Sequence, residues 1–324
     1  MLPDGRRLGA HLPLGSGMVR AVERAHEIGA SALQVFGDNP TAWKRRSAPP
    51  DELPAFRARL AELDIGPIAI HASYLINLAG TNPDFTAGSI GLLAEELRAA
   101  PGYAASFVNV HTGSHRGTSP EGGIARLADA VANVLAEVDG GAGAARLVLE
   151  NSAGAGFGVG TTVDELADIA EAVAARGVPD DRIGFCLDTA HLWGAGHDLS
   201  DPGVTDAVLD AFDRRIGLER LTMVHLNDSK SPLGSRADRH EHVGAGGIGE
   251  RGMAHLLTHP HLAGVPAYLE TPGMDEGYDA INVARALALA EGRPLAPLPP
   301  GAHSVRGSRS RSAAPDAEPA AGTI

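Results

Sequence analysis

The chain is poor in cysteine, in aromatic residues and in positive charge, and each shortage narrows what it does. Cys186 is its one cysteine, so no disulfide forms within the chain and nothing forces an oxidising compartment. Aromatic residues make up 4% of it, so a sizeable core must be built from Val, Leu, Ile and Ala, the branched and small residues that fill barrel interiors. The formal net charge of −13 carries no basic footprint of nucleic-acid binding at the level of the whole chain. That counts against a polyanionic partner, although bound divalent cations would add local positive charge that the sum omits. No window is long and apolar enough to span a membrane, and residues 1–7 lack the apolar stretch of a signal peptide. The expectation is a cytoplasmic protein.

What is present is a regular alternation. Eight short apolar runs, at 8–14, 32–37, 68–73, 107–113, 146–152, 183–189, 222–228 and 267–271, are each flanked by polar or glycine residues, as strands buried on both faces are. Between them lie amphipathic stretches. Met18, Val22, Ala25 and Ile28 recur at helical spacing, Thr162-Val163-Asp164-Glu165 has the form of a capping box, and 121–138 and 278–290 read as helices in the same way. Eight strands alternating with helices predict an α/β fold, a closed (β/α)₈ TIM barrel in one domain over residues 1–291, with an open doubly wound sheet as the structural runner-up. After Gly292 the sequence turns to Pro, Ala, Ser and Arg, so 292–324 is expected to be a disordered tail.

Six ligand-type residues, His71, His111, Glu150, Asp188, His225 and Glu270, each fall at or near the end of one of these runs. In a barrel all strand C-termini open onto one face, where active sites of this fold lie, so the six would converge on one pocket. One histidine at a strand end is an ordinary polar residue; six such residues at the same relative place are not a coincidence of composition. His191 follows Asp188 by three residues, and Asp238 and His240 are two apart in the loop after the seventh run, where alternate residues point the same way. The nine together, five His, two Asp and two Glu without thiolate, suit zinc, manganese or iron better than calcium. They exceed the needs of one ion, which predicts a metal cluster of the kind that serves phosphoryl hydrolysis.

Several motifs carry a resemblance to a known family. His71-Ala72-Ser73-Tyr74-Leu75-Ile76-Asn77-Leu78, Asn109-Val110-His111-Thr112-Gly113-Ser114-His115, Leu149-Glu150-Asn151-Ser152-Ala153-Gly154, Leu187-Asp188-Thr189-Ala190-His191, residues 224–230 and residues 238–242 are similar to endonuclease IV of the AP-endonuclease 2 family. The similarity runs from about Leu8 to Glu291. It implies a monomeric DNA-repair endonuclease that acts on double-stranded DNA, hydrolysing the phosphodiester 5′ to abasic sites. It further implies three Zn²⁺ per chain, with Mn²⁺ admissible at one position. Residue by residue, it places His71, His111 and Glu150 on one ion, Glu150, Asp188, His225 and Glu270 on a second, and His191, Asp238 and His240 on the third. Glu150 and Glu270 become the catalytic carboxylates, and Tyr74 and Leu75 the residues of a loop that enters the minor groove.

Thr112, Thr41, Ala245 and Gly247 depart from the pattern of better-known members, which leaves the DNA contacts less defined than the ligands. His11 and His115 are expected near the mouth as donors that orient a ligand. His26, His197, His242, His255, His259 and His261 read as surface or structural, Cys186 as a small buried hydrophobe, and Trp43 and Trp193 as packing residues. The competing function is a single-metal sugar isomerase or epimerase using Glu150, Asp188, His225 and Glu270; such an enzyme has no use for the other five ligands. A non-catalytic damage binder is the third reading, which the complete ligand set disfavours.

Overall fold

In a computed structural model the chain is described over residues 1–304 apart from 139 and 142. Eight parallel strands close on themselves: β1 (Leu8–His11), β2 (Ala32–Val35), β3 (Ile68–His71), β4 (Ala105–His111), β5 (Arg146–Glu150), β6 (Ile183–Asp188), β7 (Leu221–His225) and, after a two-residue pair β8 (Asp228–Ser229) and β9 (His240–Glu241), β10 (Ala267–Leu269). Neighbouring strands follow chain order around the barrel, and β10 pairs with β1 to seal it. Closure decides between the two architectures the sequence allows: the fold is a TIM barrel.

Helices α1 (Met18–Glu27), α2 (Leu53–Glu62), α3 (Pro83–Ala99), α4 (Pro120–Ala136), α5 (Val163–Ala174), α6 (Thr189–Ala195), α7 (Pro202–Arg215), α8 (Gly249–Thr258) and α9 (Tyr278–Ala290) return the chain between strands. Local chemistry sets their starts. Thr162 caps α5 by accepting the Glu165 N–H at 3.1 Å, a contact worth about 1 kcal/mol. The reciprocal half of the expected capping box lands one residue early, because the Glu165 carboxylate accepts the N–H of Thr161 rather than that of the cap.

Strand alternation sorts the side chains into two populations. Leu33, Ile70, Val108, Leu149, Leu187, Val224 and Leu269 point outward into the large core shared with the helices. Ala32, Ala69, Phe107, Val148, Cys186, Met223 and Tyr268 point inward and form a separate apolar plug. Gly9 belongs to this interior by necessity, since a Cβ there would lie 2.7 Å from the Tyr268 ring. Cys186 is fully buried in the plug and burial pushes its thiol up to about 11, so it packs as a neutral group.

Of the segment expected to be disordered, residues 292–304 are described and run against the barrel. Arg285 donates to the Ala296 carbonyl at 2.7 Å, Ala302 is buried, and its carbonyl lies 3.1 Å from His242 Nε2. Residues 305–324 lie outside the described residues.

Candidate metal centre

The next inward-facing position along each strand, two residues past the plug, is polar in all eight. His11, Gln34, His71, Asn109, Glu150, Asp188, His225 and Glu270 follow Gly9, Ala32, Ala69, Phe107, Val148, Cys186, Met223 and Tyr268 by two. The two-residue repeat of a strand therefore turns one apolar layer into a polar layer directly above it. His111, two residues beyond Asn109 on the longer β4, extends that layer toward the mouth.

The remaining ligands arrive by turns. Asp188 caps α6, with Oδ1 accepting the His191 N–H at 2.7 Å, and this puts the His191 ring one helical turn above the end of its strand. Asp228 and Ser229 pair antiparallel with Glu241 and His240, which folds the loop after β7 back over the barrel and carries Asp238 and His240 with it. Asp228 anchors this return: its buried carboxylate accepts N–H groups of Ser229, Gly246, Ile248 and Gly249. Gly246 and Gly247 are required by contact, since a Cβ at Gly246 would strike Asp228 and one at Gly247 the Trp193 ring. The low polarity of this loop thus has a packing cause.

Glu150, with no exposed surface, is the centre of the cluster. Its Oε2 lies 3.6 Å from His71 Nε2 and 3.7 Å from His111 Nε2, while Oε1 lies 3.2 Å from both His191 Nδ1 and His225 Nδ1. His225 Nδ1 is also 3.5 Å from Glu270 Oε2 and 3.8 Å from Asp188 Oδ2. His240 Nε2 is 3.1 Å from Asp238 Oδ1, and His191 Nε2 is 3.4 Å from Asp238 Oδ2. Three sets, His71–His111–Glu150, Asp188–His225–Glu270 and Asp188–His191–His240, each have ligand atoms within 4.8 Å of one another. All nine residues singled out in the sequence are brought together here.

A shell of hydrogen bonds orients them. His71 Nδ1 donates to the Ala72 carbonyl at 2.8 Å, His191 Nδ1 to Asn151 O at 2.9 Å and His240 Nδ1 to Glu270 O at 2.7 Å. His225 is held from its other side, Nε2 donating to Gln34 Oε1 at 2.9 Å, which leaves Nδ1 facing the pocket. Gln34 also donates to Glu270 Oε1 at 2.6 Å, Asn227 to Asp188 Oδ2 at 2.7 Å, and Asn109 to Glu150 Oε2. Sequence reasoning assigned no role to Gln34, Asn109, Asn151 or Asn227; the available signal was a polar residue at the layer position two past an interior one, or directly beside a ligand.

Charges reinforce the geometry. Burial alone would raise the Glu150 carboxyl, yet His225, His111 and His191 hold it well below the usual carboxylate range. Asp238 and Glu270 are held down in the same way by their facing imidazoles, against burial. Burial likewise opposes the raised imidazoles, but Asp188 and Asp238 lift His191 well above its ordinary value and Asp238 pushes His240 up to about 9. Burial wins at His111, which is lowered. Buried atoms of this centre nonetheless lack hydrogen-bond partners, among them Glu150 Oε1, His225 Nδ1 and His240 Nε2. Unpaired buried polar atoms are costly, and imidazole nitrogens and carboxylate oxygens left facing one space are the donor set a divalent cation satisfies.

Other expectations sort differently. His11 reaches Glu270, with Nδ1 3.2 Å from Oε1, whereas His115 packs against Phe157 at 5.4 Å between ring centroids. Tyr74 is 42% exposed and overhangs the mouth, its ring 5.7 Å from that of His71 and 6.4 Å from that of His111. Leu75 beside it is half-buried against the core. Thr112 is buried and donates to Val159 O at 2.6 Å; Thr41 is exposed in a turn held by Asn39. Lys44, Arg46, Arg116, Lys230, Arg236 and Arg239 are exposed on the loops after β2, β4 and β7, on the ligand face. No helix of the described residues is long and apolar enough to cross a membrane.

Known proteins share these features to different depths. A sequence profile of the xylose isomerase-like TIM barrel family matches residues 22–292. A Chloroflexus aggregans protein named "Probable endonuclease 4" is 38% identical over 279 residues, covering 86% of this chain and 96% of that one. The crystal structure of endonuclease IV from Thermus thermophilus superposes with a TM-score of 0.75 at 38% identity, covering 88% of this chain and 99% of the other. A D-tagatose 3-epimerase-like protein superposes with a TM-score of 0.65 at 14% identity, covering 88% of this chain and 97% of that chain, a likeness of fold alone.

Proposed function

The chain belongs to the endonuclease IV family of xylose isomerase-like TIM barrels and is a nuclease, and from that premise we propose that it hydrolyses duplex DNA on the 5′ side of abasic sites. The products are a 3′ hydroxyl and a 5′ deoxyribose phosphate, and the enzyme works as a cytoplasmic monomer. The observation that carries this reading is the meeting of three ligand sets around Glu150, with orphaned donor atoms facing one space.

We assign His71, His111 and Glu150 to one cation, Glu150, Asp188, His225 and Glu270 to a second, and His191, Asp238 and His240 to a third. The cations are Zn²⁺, with Mn²⁺ fitting one position, since the donors are nitrogen and oxygen without thiolate. Bound there, they would supply Lewis acidity toward the phosphate and lower the pKa of water at the site to roughly 7.

The chain's own residues do the rest. Glu150 is placed to span two ligand sets, because its two oxygens face different imidazole pairs. Glu270 is the more open catalytic carboxylate, 12% exposed at its side chain against 0% for Glu150, and its Oε2 faces His225 as the oxygen that would hold the second cation. Gln34 and His11 fix its other oxygen, so Oε2 keeps its aim. Tyr74 and Leu75 enter the minor groove beside the lesion, where unstacking costs a few kcal/mol and is cheapest at a damaged site. The exposed Lys and Arg side chains of the rim hold the phosphate backbone locally, despite the acidic whole.

The test is a duplex carrying one tetrahydrofuran abasic analogue, incubated with purified protein beside a matched intact duplex. The analogue does not undergo β-elimination, so a nick reports hydrolysis. A single cut 5′ to the analogue with a 3′ hydroxyl is expected. An uncut analogue duplex from metal-loaded protein would overturn the abasic assignment.

A further inference from the structure

A second group of metal-ligand side chains lies on the outer helical layer. His255 on α8 and His259 at its end are four residues apart, one helical turn, so both imidazoles share a face. That face meets Asp206 on the neighbouring α7: Asp206 Oδ1 is 2.6 Å from His255 Nε2 and 3.2 Å from His259 Nε2. A ligand atom from each of the three lies within 4.8 Å of the others. His261 and Asp210 repeat the pairing one helical turn along α7, at 3.3 Å. This cluster sits at the C-terminal end of α8, and because each helix returns against the strands, that end points away from the face where the nine residues converge.

We propose that Asp206, His255 and His259 form a surface site for one divalent first-row transition ion such as Zn²⁺, separate from the centre in the barrel mouth. Two imidazoles and one carboxylate are a sufficient protein donor set, with water completing the coordination. Partial exposure favours this: side-chain exposures of 28% at His255 and 52% at Asp206 give an ion access without unfolding, while His259 at 6% is fixed in place. The ion replaces the protons that join Asp206 to the imidazoles and pins α7 to α8, so it stabilises the fold by mass action. It also leaves a mark. His259 Nδ1 accepts the His261 N–H at 3.1 Å, and ligation through Nε2 moves the ring proton to Nδ1, so that bond opens.

The experiment uses full-length protein with its own metals retained. Wild type, Asp206→Asn and His255→Gln are dialysed against micromolar Zn²⁺ and their metal content is compared. The expected result is about one ion per chain more in wild type than in either variant, with cleavage activity unchanged in all three. Excess Zn²⁺ should raise the wild-type melting temperature and leave both variants unmoved. In backbone NMR the His261 amide should shift on Zn²⁺ addition. Equal metal content in the three proteins, with no differential melting shift, would overturn the proposal and leave the cluster a hydrogen-bonded helix seam. Both mutated side chains are partly solvent-exposed, so without added Zn²⁺ the variants should melt close to wild type, and each shift is read against the same protein without added Zn²⁺.

Discussion

Two layers of the same barrel, one residue pair apart, obey opposite rules. The lower layer, Ala32, Ala69, Val148, Cys186, Met223 and Tyr268, is apolar and closed, and contributes through burial and packing. The upper layer, from His11 around to Glu270, is as deeply buried at Glu150, Asp188 and His225, yet holds polar atoms without partners. The plug makes the barrel stable on its own terms. The layer above it keeps buried polar atoms unpaired, a cost that a bound cation would offset. A barrel that closes firmly below can hold imidazoles and carboxylates at fixed spacing above, where a soluble cluster would scatter.

That contrast is broken most severely at Glu150. Glu150→Gln removes the charge that faces four imidazoles, and cleavage should fall on the order of 10³-fold in single-turnover assays. Folding should persist by circular dichroism. Met223→Ala, in the plug, should do the reverse: a loss of about 2–5 kcal/mol in denaturant unfolding, with activity per folded molecule retained. If Met223→Ala abolished activity without lowering stability, the division between layers would be wrong.

Protons sharpen the same contrast. In the metal-free chain His240 is raised from 6.5 to about 9, burial being outweighed by Asp238. Its contribution to stability is therefore complete below about 6.5 and lost as pH rises through about 9. The urea midpoint of metal-free protein should fall across that window, and metal affinity should rise across it, because bound cations displace those protons. Metal-loaded protein should lack the slope.

The orienting shell predicts smaller effects. Asn227→Ala removes the donor to Asp188 Oδ2 and should cost about 10–100-fold in metal affinity, read by competition with a chelator. Smallest is Tyr74→Ala at the exposed rim, expected to raise KM for abasic duplex about tenfold while kcat holds. A collapse of kcat there would move Tyr74 into the chemistry.

The alternation of eight short apolar runs with helical stretches made a parallel α/β fold legible, while closure of the barrel over an open sheet was decided only by the pairing of β10 with β1. Six of the nine ligands were legible because they end those runs, and His191, Asp238 and His240 because they pair at ligand spacing just beyond them. Gln34 was not: it sits inside a run, and only the layer geometry shows that it aims Glu270 and His225 together. The loop clamped by Asp228 was illegible too, since Gly246 and Gly247 look like missing polarity until their close contacts with Asp228 and Trp193 are seen. His255 and His259 read as surface or structural residues and not as ligands, because Asp206 lies 49 positions from the nearer one and only the packing of α7 on α8 joins them.

The proposed abasic-site chemistry rests on a cluster of three cations in the barrel mouth. Metal content of purified Asp206→Asn protein, in which the outer site is disabled, measures this directly by elemental analysis. About three ions per chain is the predicted result. About one per chain, unchanged by His71→Ala or His240→Ala, would contradict it and favour the competing single-metal isomerase or epimerase reading.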